Sequence, residues 1–171
     1  NWVNSAVPRG LNDGPVWAGK GLTSAFDATA YLRWNGLSVV LNPTLLYNQN
    51  SNFELAALDW AGAGANEYAY PWRQIDLPQR FGPQSYTTFD LGQSRIAYDL
   101  SWARASFGNE NLWWGPGIES AIIMSSNAPG FLHGSLSTNR PVDIGVGALE
   151  GQWIWGGLEQ SDYLAPALAD V

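Results

Sequence analysis

The stretch LTSAFDATAYLRWNGLSVVLNPTLLYN, residues 22–48, decides the fold of this chain. Asn35-Gly36 divides it into two runs, and this dipeptide best accommodates the two positive φ angles of a type I′ turn, so the stretch predicts a β-hairpin. Side chains of a strand alternate between its two faces. One face is apolar and carries Leu22, Phe26, Ala28, Ala30, Leu32 and Trp34, then Leu37, Val39, Leu41, Pro43, Leu45 and Tyr47. The other face carries Thr23, Asp27, Thr29, Tyr31 and Arg33, then Ser38, Val40, Asn42, Thr44, Leu46 and Asn48.

The length of these runs favours a membrane-spanning strand. Each has about 11 to 13 residues, whereas strands of soluble proteins have about five or six and a tilted transmembrane strand needs about 9 to 11. Trp34 and Tyr47 lie at the two ends of the apolar face, where the aromatic girdles of a barrel would be. The hairpin therefore predicts an all-β fold, an antiparallel transmembrane β-barrel.

Two further segments alternate. Ser94–Phe107 predicts one strand, with a bulge or strand exit where Arg104 breaks the phase. Val142–Leu158, punctuated by glycines, predicts another strand. Residues 51–92 read instead as a long loop or plug, in which Phe53–Trp60 predicts a short helix.

At about 20 residues per strand and connection, the chain has room for about six to eight strands. We expect residues 51–92 to be an excursion from these strands, with short helical or loop plug elements.

Composition excludes several classes of function. The net charge is −7 with a single lysine, so no basic surface is available for nucleic acid. The chain has no cysteine, which rules out disulfides and thiolate metal sites. No apolar run approaches the roughly 18 residues of a membrane-spanning helix. Ten tryptophans suit either a membrane interface or the stacking of sugar rings, because the indole is both apolar and a hydrogen-bond donor.

The central segments Asn109–Gly117 (NENLWWGPG) and Ile122–Phe131 (IIMSSNAPGF) resemble the signature of Wzi-like capsule assembly proteins. Flanking segments that also fit are Ile75–Gly82, Asn139–Pro141 and Gly151–Gly156. The resemblance spans most of the chain. It implies a plugged barrel in the outer membrane of Gram-negative bacteria that binds capsular polysaccharide and anchors it at the cell surface, without catalysis. Because the barrel of this family is much longer than this chain, the resemblance also implies that residues 1–171 form a single incomplete outer-membrane barrel segment, part of a larger barrel.

The chain departs from the family pattern at two places. It ends Ala169-Asp170-Val171, without the final aromatic residue usual in such barrels, so we expect the closing strands to be missing. Gly134, after the expected His133, stands where a bulkier residue is more usual.

The first group of candidate binding residues surrounds the adjacent pair Trp113 and Trp114. In a strand the two rings would lie on opposite faces, but the following Gly115-Pro116-Gly117 favours a turn. With Asn109, Glu110 and Asn111 the pair supplies flat stacking surfaces and hydrogen-bonding neighbours for a sugar. The alternative is a rigid turn that packs the plug and fixes the architecture.

A second group comprises Asn127, His133, Asn139 and Arg140, which can bond sugar hydroxyls. Arg140 is the preferred contact for uronic carboxylates; the alternative is that it pairs with Asp143 or Glu150. A lone histidine cannot make a multi-histidine metal site, so we expect a structural role for His133.

No constellation indicates an enzyme or a cofactor. The spacing of Glu110, Glu119 and Glu150 selects no glycosidase pair, and Gly145-Val146-Gly147 lacks the third glycine of a dinucleotide fingerprint. The expected partners are surface polysaccharide and outer-membrane lipid, and we expect a monomer. A diffusion porin and a soluble β-sandwich carbohydrate-binding module remain as alternatives.

Overall fold

The computed structural model describes residues 1–10, 12–59, 66–72, 77–118, 121–158, 161 and 163. This part of the chain folds as antiparallel β-structure, as predicted. Its strands are β1 (Trp2–Asn4), β2 (Gly21–Asp27), β3 (Ala30–Trp34), β4 (Leu37–Leu41), β5 (Thr44–Asn48), β6 (Tyr86–Asp90), β7 (Arg95–Asp99), β8 (Ala103–Gly108), β9 (His133–Thr138), β10 (Val142–Asp143), β11 (Ala148–Leu149) and β12 (Gln152–Gly156).

The predicted hairpin is confirmed. Asn35 and Gly36 have φ angles of 42° and 85°, as a type I′ turn requires. The same register continues from the β3–β4 pair into the β2–β5 pair. Pro43 has no N–H to donate, but its carbonyl accepts the N–H of Ala28 at 3.3 Å. β2 with β3, and β4 with β5, are therefore two long strands with a short interruption.

The two large sheets join along this interruption. One has the order β1-β2-β5-β6 and the other β12-β9-β8-β7-β4-β3. Between β6 and β7 the chain bends around Asn42, whose N–H donates to the Ser94 hydroxyl at 2.8 Å. A Cβ at Gly92 would overlap the Asn42 carbonyl. Apart from the small β10-β11 pair, the strands thus form one meander that is open within the described residues, and no closed barrel is present there.

Two segments that were each predicted as one strand are divided by turns into shorter strands. Ser94–Phe107 is not one strand but β7 and β8, joined by a turn in which the Leu100 N–H donates to the Ala103 carbonyl at 2.7 Å. Leu100-Ser101-Trp102 contains no Gly, Pro, Asn or Asp to signal that turn. The phase break at Arg104 results from the turn and not from a bulge. Val142–Leu158 likewise folds into the β10–β11 hairpin followed by β12.

The predicted helix at Phe53–Trp60 is also wrong: residues 53–59 are irregular, and Trp60 lies outside the described residues. The backbone of Ala56 makes two hydrogen bonds to the side-chain amide of Gln79, at 2.8 and 3.0 Å, and the Asp59 N–H donates to Pro71. Tertiary bonds thus replace the i to i−4 bonds of a helix. None of the described segments forms a helix with the length and hydrophobicity to cross a bilayer.

The sheet is apolar outside and polar inside. In β5 the apolar-face residue Leu45 is 47% exposed, whereas its neighbour Leu46 on the other face is 3% exposed and Asn48 is fully buried. Cross-strand pairing sets Phe26, Leu45 and Phe89 in one exposed row. A longer row on the same face runs across six strands and contains Trp34, Leu37, Tyr98, Ala105, Leu136 and Trp153.

The two ends of the meander differ. At one, here called the turn end, strands are joined by short turns at residues 35–36, 100–102 and 144–147. At the other, here called the loop end, residues 49–85 and 109–132 connect the strands. Near the loop end the polar-face residues Thr23 and Asn48 are buried, whereas near the turn end Tyr31 and Arg33 on the same face are exposed. The core therefore lies at the loop end. β6 occupies the last part of the segment predicted as the 51–92 excursion.

Candidate functional site

The loop between β5 and β6 is held by a buried pair, Asn50 and Arg80. The Asn50 amide donates to the carbonyls of residues 81, 82 and 84 at 2.8 to 3.0 Å. The Arg80 guanidinium donates to the Asn50 carbonyl at 2.8 Å and to Pro83 at 2.7 Å. Asn50 has a φ of 50°, a conformation that Asn tolerates better than most residues. This pair fixes the loop over the polar face.

The segment between β8 and β9, residues 109–132, carries most of the predicted site. Asn111 links the beginning of this segment to its later part, because the Asn111 amide donates to the Ser125 and Ala128 carbonyls at 3.0 and 2.9 Å. Gln93 makes two bonds to Asn111, one from its amide nitrogen at 2.6 Å and one to the backbone N–H at 2.9 Å. Asn111 is thus a positioning residue whose side chain is already occupied by protein groups.

Close backbone packing gives this segment its shape. A Cβ at Gly130 would overlap the carbonyl oxygen of Asn109, so only glycine allows the start and end of the segment to cross. The Gly14 N–H donates to the Ser126 carbonyl at 2.8 Å, and the Ser126 hydroxyl donates to the Asn12 carbonyl at 2.7 Å. Asn12 and Gly14 therefore hold the 109–132 segment in place through their hydrogen bonds to Ser126.

The two adjacent tryptophans are placed in different ways. Trp114 bridges to Ile123 through backbone hydrogen bonds, and its indole N–H donates to the Gln152 side chain in β12 at 2.9 Å. The Trp113 indole N–H donates to the Gly117 carbonyl at 2.7 Å, yet the side chain is 41% exposed. Both N–H groups bond protein groups, while the Trp113 ring remains partly exposed to solvent.

A cavity of about 240 Å³ lies within the same segment, and it brings together three predicted residues: Glu110, Asn111 and Asn127. Its lining also includes Leu112, Met124 and residues 128–131. Glu110 pairs with Arg95 of β7 at 3.4 Å. Asn127 is exposed and its side chain makes no hydrogen bond to the described residues, so it is available to a ligand.

The remaining predicted residues divide between the two ends of the sheet. His133 is buried at the loop end, where Nδ1 donates to the Phe131 carbonyl at 2.7 Å, in keeping with a structural role. Asn139 donates to the Leu100 carbonyl and lies at the turn end with Arg140. The strand β9, His133–Thr138, separates His133 at the loop end from Arg140, which follows the strand at the turn end.

Arg140 is exposed at the turn end and forms no ion pair with the described residues. It therefore pairs with neither Asp143 nor Glu150, whose side chains are also exposed. Glu119, weighed as a glycosidase carboxylate, lies outside the described residues, as do Ile75 and Asp76 of the flanking motif. Within the described ranges, no three His, Asp or Glu side chains lie close enough to hold a metal ion.

Several residues at the loop end have roles that no sequence pattern predicted. Gln93 and Asn50 are isolated amides between motifs, and their role depends on chain crossings that only the fold creates. Arg80 lies inside the flanking motif Ile75–Gly82, which the resemblance singled out without giving it a function. Trp72 could be noticed only as one of ten tryptophans.

Comparison with known proteins gives one match. The family model described as capsule assembly protein Wzi matches residues 9–163, a range that contains β2 to β12 and every candidate residue named above. Searches of curated proteins and of solved structures found no match.

Proposed function

The chain belongs to the Wzi capsule assembly protein family, and on this premise we propose that it is an outer-membrane protein that binds and anchors capsular polysaccharide without catalysing a reaction. Members of this family act in capsule assembly at the outer membrane. In this proposal the meander is the wall of a transmembrane β-barrel, lipid covers its apolar face, and the protein acts as a monomer.

The observation that carries the membrane part of the proposal is the exposure of the apolar face. Phe26, Leu41, Phe89 and Trp153 are all more than half exposed, and no second sheet packs on them within the described residues. Full burial of such a side chain is worth about 1.5 to 3 kcal/mol. Lipid is the environment that recovers this free energy across the whole face, whereas a soluble sandwich would bury it between sheets.

The height of the apolar band supports the same conclusion. Tyr47 pairs with Ser24, ten residues before Trp34. At about 3.4 Å per residue and a tilt of about 45°, these two aromatic levels are about 25 Å apart, which is the height of the lipid-facing band in outer-membrane barrels. Trp34 and Tyr47 would then lie in the two girdles.

The loop end is the end that we expect to face outward. Outer-membrane barrels have short periplasmic turns and longer extracellular loops. Trp113, Glu110 and Asn127 would then face the polysaccharide, whereas Asn139 and Arg140 would lie on the periplasmic side. Burial of Thr23 and Asn48 on the polar face near the loop end favours this binding role over a diffusion porin, because an open pore would leave such residues in contact with water.

The binding proposal is tested with surface polysaccharide purified from the cells that make the protein. Trp113→Ala removes the exposed ring and should weaken retention about fivefold, the effect of losing about 1 kcal/mol of stacking. Trp102→Ala at the turn end, a ring 65% exposed, is the matched control and should bind normally, as should Arg140→Ala.

The opposite pattern contradicts the proposal. Weaker binding by Arg140→Ala together with normal binding by Trp113→Ala would place the polysaccharide at the turn end. Failure of Trp113→Ala to insert into membranes would instead assign this ring to packing of the plug. Insertion is followed separately, by resistance of the membrane-bound protein to protease.

A further inference from the structure

A second cleft at the loop end has no part in the binding region described above. It lies beside Trp72, has a volume of about 270 Å³ and is lined by residues from five stretches of the chain, with Pro8, Trp17, Glu54, Tyr70, Trp72 and Gln79 among them. We propose that this cleft, here called the Trp72 cleft, binds a neutral sugar residue of the polysaccharide. The ligand class rests on the proposed function; the location and the preference for a neutral sugar are new.

The aromatic rings give the cleft its stacking surface. Trp72 is 56% exposed, and it lies in the 49–85 connection at the loop end, away from the apolar face of the strands. Its ring centroid is 5.4 Å from that of Tyr70, and the two planes are inclined by 73°. The rings therefore form a corner, in which a pyranose can lie flat against one ring while its edge meets the other.

The polar groups of the cleft suit hydroxyl donors. Glu54 is exposed on the wall and its carboxylate can only accept hydrogen bonds. The Gln79 amide uses one N–H and one lone pair on the Ala56 backbone, which leaves its second N–H and lone pair for a ligand. Among the described lining residues no side chain is cationic.

Charge therefore selects between sugar types. A uronic acid would bring its carboxylate beside Glu54 with no compensating cation among the described lining residues, and such like-charge contact disfavours the wrong ligand. A neutral sugar offers hydroxyl donors to the same carboxylate. The volume of the Trp72 cleft is just below the roughly 300 to 1,000 Å³ of sites for drug-sized ligands and suits one or two sugar units.

The cleft is held ready before a ligand arrives. The Gln79 side chain joins the two walls of the cleft by bonding the backbone of Ala56. The Gln79 backbone N–H donates to the Tyr68 carbonyl at 2.7 Å. Pro71 and Pro78 restrict the backbone at the sides, and Arg80 anchors the chain directly after the second wall. Preorganised walls lower the entropy that binding must overcome.

The experiment compares binding of the purified surface polysaccharide in two forms, native and carboxyl-reduced, to the full chain in detergent by calorimetry. Reduction converts uronic carboxyls to alcohols and leaves the neutral sugars unchanged. We expect the wild type to bind the carboxyl-reduced form, Trp72→Ala to bind it at least fivefold more weakly, and Trp72→Phe to keep most of the affinity. Trp102→Ala is the matched control with unchanged binding.

The outcomes separate this inference from the proposed function. Wild-type affinity in Trp72→Ala would overturn the Trp72 cleft while leaving polysaccharide binding intact. Loss of wild-type binding after carboxyl reduction would overturn the preference for a neutral sugar. Absence of binding to either form by the wild type would instead overturn the proposed function itself. If Trp72→Ala does not fold, the inference is tested with Trp72→Phe, which should keep most of the affinity, and with Glu54→Lys, which should weaken binding of the carboxyl-reduced form.

Discussion

Leu41→Arg is the substitution that best tests whether the apolar face meets lipid. Leu41 is 53% exposed and pairs with Ala30, between the levels of Trp34 and Tyr47 and so near the middle of the apolar band. An arginine at the midplane of a barrel wall lowers the free energy of unfolding by about 2 to 4 kcal/mol in a bilayer. On a surface facing water the same change would stay within about 0.5 kcal/mol.

The measurement is urea-induced unfolding of the protein in lipid vesicles, followed by tryptophan fluorescence. Tyr31→Arg on the polar face, where Tyr31 is exposed, is the control for the new charge and should change the free energy of unfolding by less than about 0.5 kcal/mol. Leu22→Arg, beyond the Tyr47 level, should cost about 0 to 1 kcal/mol. Equal, small effects of Leu41→Arg and Tyr31→Arg would refute the lipid-facing assignment.

The fixed loop end leads to three further expectations. Asn50→Ala removes three hydrogen bonds and should destabilise the protein by about 2 to 4 kcal/mol, at about 1 kcal/mol each, measured by urea unfolding; Asn52→Ala, at an exposed position, should have little effect. Gly130→Ala forces a Cβ onto the Asn109 carbonyl. It should lower the free energy of unfolding by about 1 to 3 kcal/mol and expose the 109–132 segment to protease. Gly147→Ala meets open space and should leave cleavage unchanged. In planar bilayers the protein should give no steady open channel, and stable conductance would favour the porin alternative.

The sequence predicted the hairpin and the two faces because both depend on local rules. Asn35-Gly36 has the φ preferences of its turn, and the alternation through residues 22–48 fixes which side chains share a face. The inversion of the usual burial pattern could be anticipated from strand length, since a strand of more than ten residues with one apolar face suits a bilayer.

The errors arose where tertiary contacts override local preference. Residues 53–59 have helix-compatible side chains, but Gln79 captures the backbone of Ala56 and so replaces the helical hydrogen bond. The turn at 100–102 has only Ser101 as a turn-forming residue and is set by cross-strand pairing on both sides. Arg140 and Asn127 seemed to form one constellation because they are close in sequence, whereas an extended strand carries them to opposite ends.

The candidate site could be located from its motif but not resolved into contacts. The sequence could not distinguish a Trp113 with an exposed ring from a Trp114 anchored to β12, because adjacent residues in an irregular segment follow no periodicity. The Trp72 cleft was beyond reach for the same reason, since it combines segments that lie far apart along the chain.

The order of the meander also determines how the wall can assemble. Each long strand pairs with the one before it, so most contacts form between neighbours in the chain and registration can proceed hairpin by hairpin. The longest closure between paired strands is that of residues 49–85, and its entropic cost exceeds that of a four-residue connection by only about 2 kcal/mol. Connections between these strands can therefore vary in length at small entropic cost, so the loop end can differ in size while the strands keep their pairing.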